Sequence, residues 1–507
     1  MPKTRSAAAR SSRNEVKRSA ARPVAPAPPP PPPAPPSHAV APPARDMDFE
    51  ESTRFLYDRV DIERLRPSRV VADMFKLDRM RQLLARLGNP HESVRCIHVA
   101  GTKGKGSTCE MTTAGLEACG YTVGTYTSPH LLDVRERIRI NRLPISPDDF
   151  ARMASTVRLA ASHLPGDLGE PTFFELTTAM CFLYFADQAV DLAVIECGLG
   201  GRLDSTNVIV PLVSAVTSIS LDHTQILGDT VEKIASEKAG IFKPGIPAVT
   251  VPHSPSVAAV FRETAAALGS PLTVLGDDLE FSIRFDVGST SRSPAGGASP
   301  PGPNTRISLF GRRTSYEHIA VPLLGEHQAE NCGLALAILD ALAERGIRVD
   351  HTKVARGLEG LTLPGRLQIV SHHPRVLLDG AHNPASVRCL MKAIGTHVGY
   401  DSLVVIFGCA ADKDVRGMLQ QIAVGADKAI FTRASGTTRA ADPRELHRSY
   451  VELCGKMSQH TSSFADALHV ASRAVGRGDL ICVTGSFYLV GDALRHLHSL
   501  PSARRAS

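Results

Sequence analysis

The stretch Ile97-His98-Val99-Ala100-Gly101-Thr102-Lys103-Gly104-Lys105-Gly106-Ser107-Thr108 decides the fold. An apolar, β-branched run leads into a glycine-rich turn. A lysine and two hydroxyls follow, then a helix-compatible segment from Cys109 to Cys119. Strand, glycine loop and helix form a geometry that cradles phosphate. The loop amides turn inward, the helix N-terminus carries partial positive charge, and the lysine meets the outer phosphates. The generic pattern G-x-x-x-x-G-K-[ST] is not met, because Gly101 lies three residues before Gly104 and Gly106 separates Lys105 from Ser107. A glycine turn of purely structural use therefore stays open as the competing reading.

Outward from this stretch, apolar strands alternate with helices. On the N-terminal side, Phe55 to Leu87 is helical in pattern, with Val70, Val71, Met74, Phe75, Met80, Leu83, Leu84 and Leu87 at helical spacing before Gly88-Asn89-Pro90. On the C-terminal side come a short strand at Thr122–Tyr126, a helix at Glu175–Phe185, and strands at Asp191–Ile195, Leu212–Ile219 and Pro247–Val251, with a helix at Thr230–Gly240. This alternation predicts a parallel sheet covered on both faces. A weak β region spans about 271–322 and holds a Ser/Gly/Pro-rich insertion at 287–304. From His327 the alternation resumes through strands near Leu367–Val370, Val376–Leu378, Leu403–Phe407, Ala429–Phe431 and Leu480–Val483. The fold class is therefore α/β, with a first domain ending near 325 and a second, smaller α/β domain after it.

Polar clusters fall where these strands end: Gly101–Ser107, Thr127–His130, Glu196–Asp204, Asp222–His223 and Asp379–Asn383. Ligands of open parallel sheets gather at the carboxyl ends of strands. Any one cluster reads equally well as a loop start, but five in register point to a site. A carboxylate such as Glu196 beside a loop hydroxyl supplies the hard oxygens Mg²⁺ prefers next to phosphate; a helix-capping role competes. Imidazole is an uncommon Mg²⁺ ligand, so His223 alone reads as a core or supporting histidine. Lys238 alone reads as a surface lysine. Asp379 suits a ribose hydroxyl, and Arg366 a phosphate.

Composition narrows the classes. Of the net charge of +6, residues 1–45 hold eight Lys/Arg against Glu15, leaving −1 for the rest. The folded part has no broad basic surface for nucleic acid. There is no apolar run of about eighteen residues, so no membrane span is expected. The ten cysteines are scattered without a C-x-x-C pair, which reads as reduced thiols in a cytoplasmic protein, with no zinc site or disulfide framework. Residues 1–45, with Pro28–Pro33 unbroken, read as a solvated polyproline tail, a transit peptide being the competing reading.

Taken together, these residues resemble the folylpolyglutamate synthase / dihydrofolate synthase family of the Mur ligase superfamily, from about Phe75 to Leu489. The motifs that carry the resemblance are Phe75-x-Leu77-x-Arg79-Met80 with Leu87–Pro90, the loop His98–Ser107, Thr127-Ser128-Pro129-His130-Leu131 with Glu136-Arg137-Ile138, Glu196–Asn207, Ser236–Pro244, His327–Asn331, Pro364–Leu367 and Asp379–Asn383. The sequence departs at Lys103, where the family usually has asparagine, at Arg142, where glycine is common, at Leu363, where tryptophan is frequent, and in Cys409–Asp414.

The resemblance implies an N-terminal P-loop-type parallel-sheet ATPase domain (46–325, with the 287–304 insertion) and a smaller C-terminal Rossmann-like glutamate-ligase domain (326–500), between tails 1–45 and 501–507. It implies ATP-driven amide formation between L-glutamate and dihydropteroate, tetrahydrofolate or both, with Mg²⁺ as cofactor, in a cytoplasmic monomer. Gly101, Thr102, Gly104, Lys105, Gly106 and Ser107 would hold the ATP phosphates. Asn331 and His382 would meet the adenine, Asp379 the ribose, and Arg366 the phosphates from the second domain. Ser128, Glu196, His223 and a carbamylated Lys238 would bind Mg²⁺, so that Lys105, Lys238 and His223 carry the chemistry. Thr172, Phe174 and Asp204 match a dihydropteroate subsite. A cell-wall Mur ligase with a UDP-sugar acceptor and a non-catalytic nucleotide-binding module are the competing readings. The Ser128-Pro129-His130-Leu131 loop and Pro171–Glu175 argue against the former, and the full set of candidate ligands against the latter.

Overall fold

The computed structural model describes residues 46–61, 77–286 and 304–499. Among them, the strands form three sheets. The first contains β1 (Cys96–Ala100), β2 (Val123–Tyr126), β3 (Ile138–Ile140), β4 (Leu143–Pro144), β5 (Leu192–Glu196), β6 (Val213–Val216), β7 (Ala248–Thr250) and β8 (Leu272–Val274), in the order β4-β3-β2-β5-β1-β6-β7-β8. Six of these strands run parallel, and β3 and β4 add an antiparallel edge. β1, β2 and β5 are buried at every residue, as expected for strands covered on both faces. Helices Lys105–Ala118 and Glu326–Glu344 close one face around Val99, Val194 and Leu339, and helices Pro147–Ser162 and Phe173–Asp187 close the other around Ile195 and Phe182.

The second sheet is antiparallel, built from β9 (Glu280–Asp286), β10 (Asn304–Phe310) and β11 (Ser315–Val321) in the order β11-β10-β9. The third has the order β12-β13-β17-β14-β15-β16, from β12 (Gln368–His372), β13 (Arg375–Leu378), β14 (Leu403–Phe407), β15 (Lys428–Phe431), β16 (Ser458–His460) and β17 (Leu480–Thr484). It is parallel except for β12, which forms a hairpin with β13.

Register aligns the functional strand ends. Val99 sits opposite Glu196, Ala100 opposite Val216, and Tyr126 opposite Ile195. The segments that follow these strands therefore open on one edge of the sheet.

The structure corrects some sequence expectations. The helical stretch Phe55–Leu87 is instead a helix Phe49–Tyr57 and a second helix Leu77–Arg86. The first ends at Asp58, its C-cap, and residues 58–61 are not helical. Val70, Val71, Met74 and Phe75 lie outside the described residues, as do the tails 1–45 and 501–507 and positions 287–303 of the insertion. Asn304, assigned to that insertion, begins β10. The weak β region divides, its first strand joining the parallel sheet as β8. Asn141 and Arg142 both adopt positive φ, 49° and 61°, which accounts for glycine being common at the second position; here Arg142 is tied at 2.7 Å to Glu117. All ten cysteines are free thiols. Among the described residues, no helix is long and apolar enough to cross a membrane.

Candidate active site

The glycine loop turns directly off the buried end of β1. Gly101 has φ 146°, its carbonyl accepts from Lys238 Nζ at 2.8 Å, and the Thr102 amide donates to the Ser218 carbonyl at 2.8 Å. Gly104, with φ 88°, is the N-cap of helix Lys105–Ala118. That helix has no acidic residue in its first turn, so none of its own side chains offsets its positive end. Inside the turn the Ser107 hydroxyl is buried with no hydrogen-bond partner. A buried unsatisfied hydroxyl is costly, and an oxygen-rich anion at this helix end would satisfy it.

Glu196, the last residue of β5, forms the floor. It is buried and accepts one amide, that of Ser128 at 3.1 Å, with Lys105 Nζ 4.0 Å away. Burial pushes its carboxyl upward against the opposing pull of Lys105 and Arg366. Lys238, also buried, has its ammonium pulled down to about 7 by burial and then by Lys105. It is therefore a core lysine facing the loop, not the surface lysine its sequence suggests in isolation. His223 sits in a left-handed turn (φ 51°), 40% exposed, with Nε2 3.9 Å from Asp222 Oδ1. Among the described residues, no three His, Cys, Asp or Glu side chains gather into a ready-made metal site. What the floor does provide is a carboxylate with unused acceptor capacity next to a loop hydroxyl, Ser128, which suits a hard cation bound together with phosphate oxygens.

The far wall belongs to helix Phe173–Asp187. Thr172 is its N-cap, in a reciprocal capping box with Glu175. Arg79 grips Glu175 from beneath with contacts of 2.8–3.0 Å, both side chains being nearly inaccessible. The Phe174 ring lies 5.8 Å from that of Tyr126 and packs on Gly198, where a Cβ would strike it. Asp204 faces the cleft while accepting from the Leu199 amide at 2.8 Å and the Thr206 amide at 3.0 Å; burial raises its carboxyl.

The lobe built on the six-stranded sheet supplies the opposite bank. Arg366 lies 5.1 Å from the centre of the Phe487 ring, a cation–π contact, and reaches Gly106, where a Cβ would meet its guanidinium. His382 donates from Nδ1 to the Gly380 carbonyl at 2.8 Å, which leaves Nε2 as the acceptor facing Lys103 Nζ at 3.3 Å. The cleft between these walls encloses about 290 Å³.

Most of the sequence-derived residues therefore converge here: Gly101, Thr102, Gly104, Lys105, Gly106, Ser128, Thr172, Phe174, Glu196, Asp204, His223, Lys238, Arg366 and His382 all line the cleft. Three do not reach its wall. Ser107 is buried in the first turn of its helix. Asn331 abuts Gly104 and donates to Gln328 at 3.2 Å. Asp379 is partly buried, each oxygen accepting one amide, Leu367 at 3.0 Å and Ala381 at 2.9 Å, and desolvation raises its carboxyl to about 6. Lys413, Arg439 and Phe487 line the cleft without having been singled out as ligands. For Lys413 the signal was present, since Cys409–Asp414 directly follows the buried strand β14.

Comparison with known proteins places the chain in a family. Residues 99–339 match the Mur ligase middle domain, and 365–487 the Mur ligase glutamate ligase domain. The dihydrofolate synthase/folylpolyglutamate synthase of Bacillus subtilis is 35% identical over 424 residues, covering 83% of this chain and 94% of the relative. The chain belongs to the dihydrofolate synthase/folylpolyglutamate synthase family. Mycobacterium tuberculosis folylpolyglutamate synthase complexed with ADP superposes with a TM-score of 0.78 at 31% identity, over 89% of this chain and 99% of that one. E. coli FolC in complex with DHPP and ADP gives 0.75 at 28% identity, over 91% and 99%. Like its relatives, this family member is a Mur-type ATP-dependent ligase with an α/β fold.

Proposed function

We propose that this ligase uses ATP to join L-glutamate to the carboxylate of dihydropteroate, to the glutamyl carboxylate of tetrahydrofolate, or to both. The observation that carries the reading is the acid-free helix N-terminus at Lys105, with the Ser107 hydroxyl buried and unpartnered inside it, opening on the Glu196 floor. Lys105 and the loop amides hold the nucleotide phosphates. The acceptor carboxylate oxygen attacks the terminal phosphorus and ADP leaves, producing an acyl phosphate. The glutamate amine then attacks the acyl carbon, phosphate departs, and the amine gives up a proton. The protein's part is orientation and charge stabilisation in a cleft that excludes water. Glu196, Ser128, His223 and Lys238 as its carbamate would hold Mg²⁺, which when bound neutralises phosphate charge. With its ammonium lowered to about 7, Lys238 is about half free amine at neutral pH, the form that adds to CO₂.

Thr172, Phe174 and Asp204 would form the acceptor's aromatic end. Arg366, His382, Asn331 and Asp379 belong to the nucleotide side, the last two by shaping the wall rather than lining it. The working unit is a cytoplasmic monomer with a central domain of residues 46–325 and a C-terminal domain of residues 326–500. The test is ADP release by purified protein with ATP, Mg²⁺ and L-glutamate, with dihydropteroate or tetrahydrofolate added separately. Release with dihydropteroate supports the first glutamylation and the acceptor subsite. Release with tetrahydrofolate alone leaves a chain-extending enzyme, and release with neither overturns the reading.

A further inference from the structure

Asp222, in the segment after β6, is a point at which several groups from the two banks of the cleft meet. Its side chain is 9% exposed, and each oxygen takes one donor from either bank. Oδ2 accepts from Lys103 Nζ at 2.7 Å, within the glycine loop, and from Asn383 Nδ2 at 3.3 Å, on the opposite lobe. Oδ1 accepts from the His223 amide at 3.0 Å and from Lys413 Nζ at 2.9 Å, again on the opposite lobe. His382 adds a fifth group, 3.9 Å from Oδ2.

The charges explain why such a tie is needed. Lys103, Lys105 and Lys413 all reach into one cleft, where Lys103 and Lys413 converge on a single carboxylate. Like charges brought together in a partly buried space repel more strongly than they would in water. One carboxylate set between them turns the repulsion into two attractions. A doubly paired, nearly buried carboxylate is a stronger tie than a surface ion pair, because each oxygen is held by two donors and water is largely excluded.

We propose that Asp222 is a positioning residue for ligation. Its pairing with Lys413 and Asn383 sets the second lobe over the glycine loop before any nucleotide arrives, and its pairing with Lys103 holds that loop in register. It touches the groups that hold the lobes, not the reacting atoms. The kinetic arm of the test rests on the ligase reading above; the scattering arm does not.

The test uses the full chain in three variants: Asp222→Asn, Lys413→Met and the double substitution. Folding is checked by circular dichroism, and Lys413→Met carries the test if Asp222→Asn does not fold. Small-angle X-ray scattering of the ligand-free protein reads lobe closure. The radius of gyration is expected to rise in each single variant and no further in the double. In the ADP-release assay kcat is expected to fall about tenfold in each single variant, with KM for ATP changing less than threefold, since Lys105 and the loop amides remain. The double variant is expected to lose no more than either single one, and Lys413→Arg to restore most of kcat. An unchanged radius of gyration in the single variants overturns the proposal whatever the kinetics. Multiplicative losses in the double variant also overturn it, because they show the two side chains acting separately. A wild-type protein that releases no ADP rejects the ligase reading and leaves the scattering result to decide this one.

Discussion

Asp340 and Glu196 are equally buried, each 3% exposed, yet the chain treats them in opposite ways. Asp340, on helix Glu326–Glu344, caps the tight connection between β10 and β11. It accepts the amides of Arg312, Arg313 and Thr314 at 2.7–2.8 Å and the Thr314 hydroxyl at 2.9 Å. Glu196 accepts a single amide and has a lysine at 4.0 Å. A buried carboxylate that the fold satisfies completely holds structure together. One that accepts a single amide, at the strand end facing a helix whose Ser107 hydroxyl has no partner, keeps acceptor capacity for something that arrives from outside.

The strongest way to break this contrast is at the cleft. Lys105→Ala is expected to reduce ADP release about 10³-fold while the thermal midpoint stays close to that of the parent protein. Normal turnover would remove the phosphate-loop assignment. Glu196→Gln should cost about 10²-fold in turnover and leave stability equal or slightly improved, because a carboxyl held high by burial is relieved of its charge. Asp340→Ala should do the reverse. Three backbone amides lose their acceptor, so urea unfolding should show a loss on the order of 3 kcal/mol, while kcat per folded molecule is kept. If the two variants gave the same profile, the distinction drawn from hydrogen bonds would be void.

A fourth variant concerns acid. His98 on β1 is fully buried, its Nε2 2.8 Å from the Thr206 hydroxyl, and burial lowers its pKa to about 3. Its folded pKa lies below the unfolded value of 6.5, so the unfolded chain binds the extra proton in between. The stability this provides is complete above pH 6.5 and is lost as pH falls toward 3, at up to about 1.4 kcal/mol per pH unit. His98→Gln should flatten that slope by one proton in urea titrations at stepped pH; an unaltered slope would assign the acid sensitivity elsewhere. The smallest effect is expected at Lys103→Asn, the residue usual in the family. Lys413 and Asn383 still hold Asp222, so ATP turnover should change less than tenfold.

Much of this was legible in the sequence because parallel sheets impose a simple rule. Strands buried on both faces are continuous apolar runs, and β14 at Leu403–Phe407 coincides with its apolar run residue for residue. The polar residues at their ends were therefore legible as a site. Helices such as Pro147–Ser162 and Pro255–Leu268 escaped notice because Ala and Ser blur their apolar stripes. The orientation of Lys238 was not legible either. Only tertiary packing turns the helix Val231–Ala239 so that its lysine points at the Gly101 carbonyl. Asp379 shows the converse limit. An acid at a strand end suggests a ribose ligand, but that each of its oxygens also accepts a nearby amide, of Leu367 or Ala381, is set by local loop geometry that no spacing reveals.

The three loop glycines have a consequence for the order in which the molecule is made. Gly101 is pressed by Thr217, Gly104 by Asn331, and Gly106 by Arg366, so three distant parts of the chain mould twelve residues read at position 97. A growing polypeptide that had emerged only to residue 300 could already hold β1, the helix after it and the sheet beside it. It would lack two of the three walls that shape the loop. Nucleotide binding is thus a late acquisition during synthesis, and a chain released early by a premature stop would carry the loop's residues without its form.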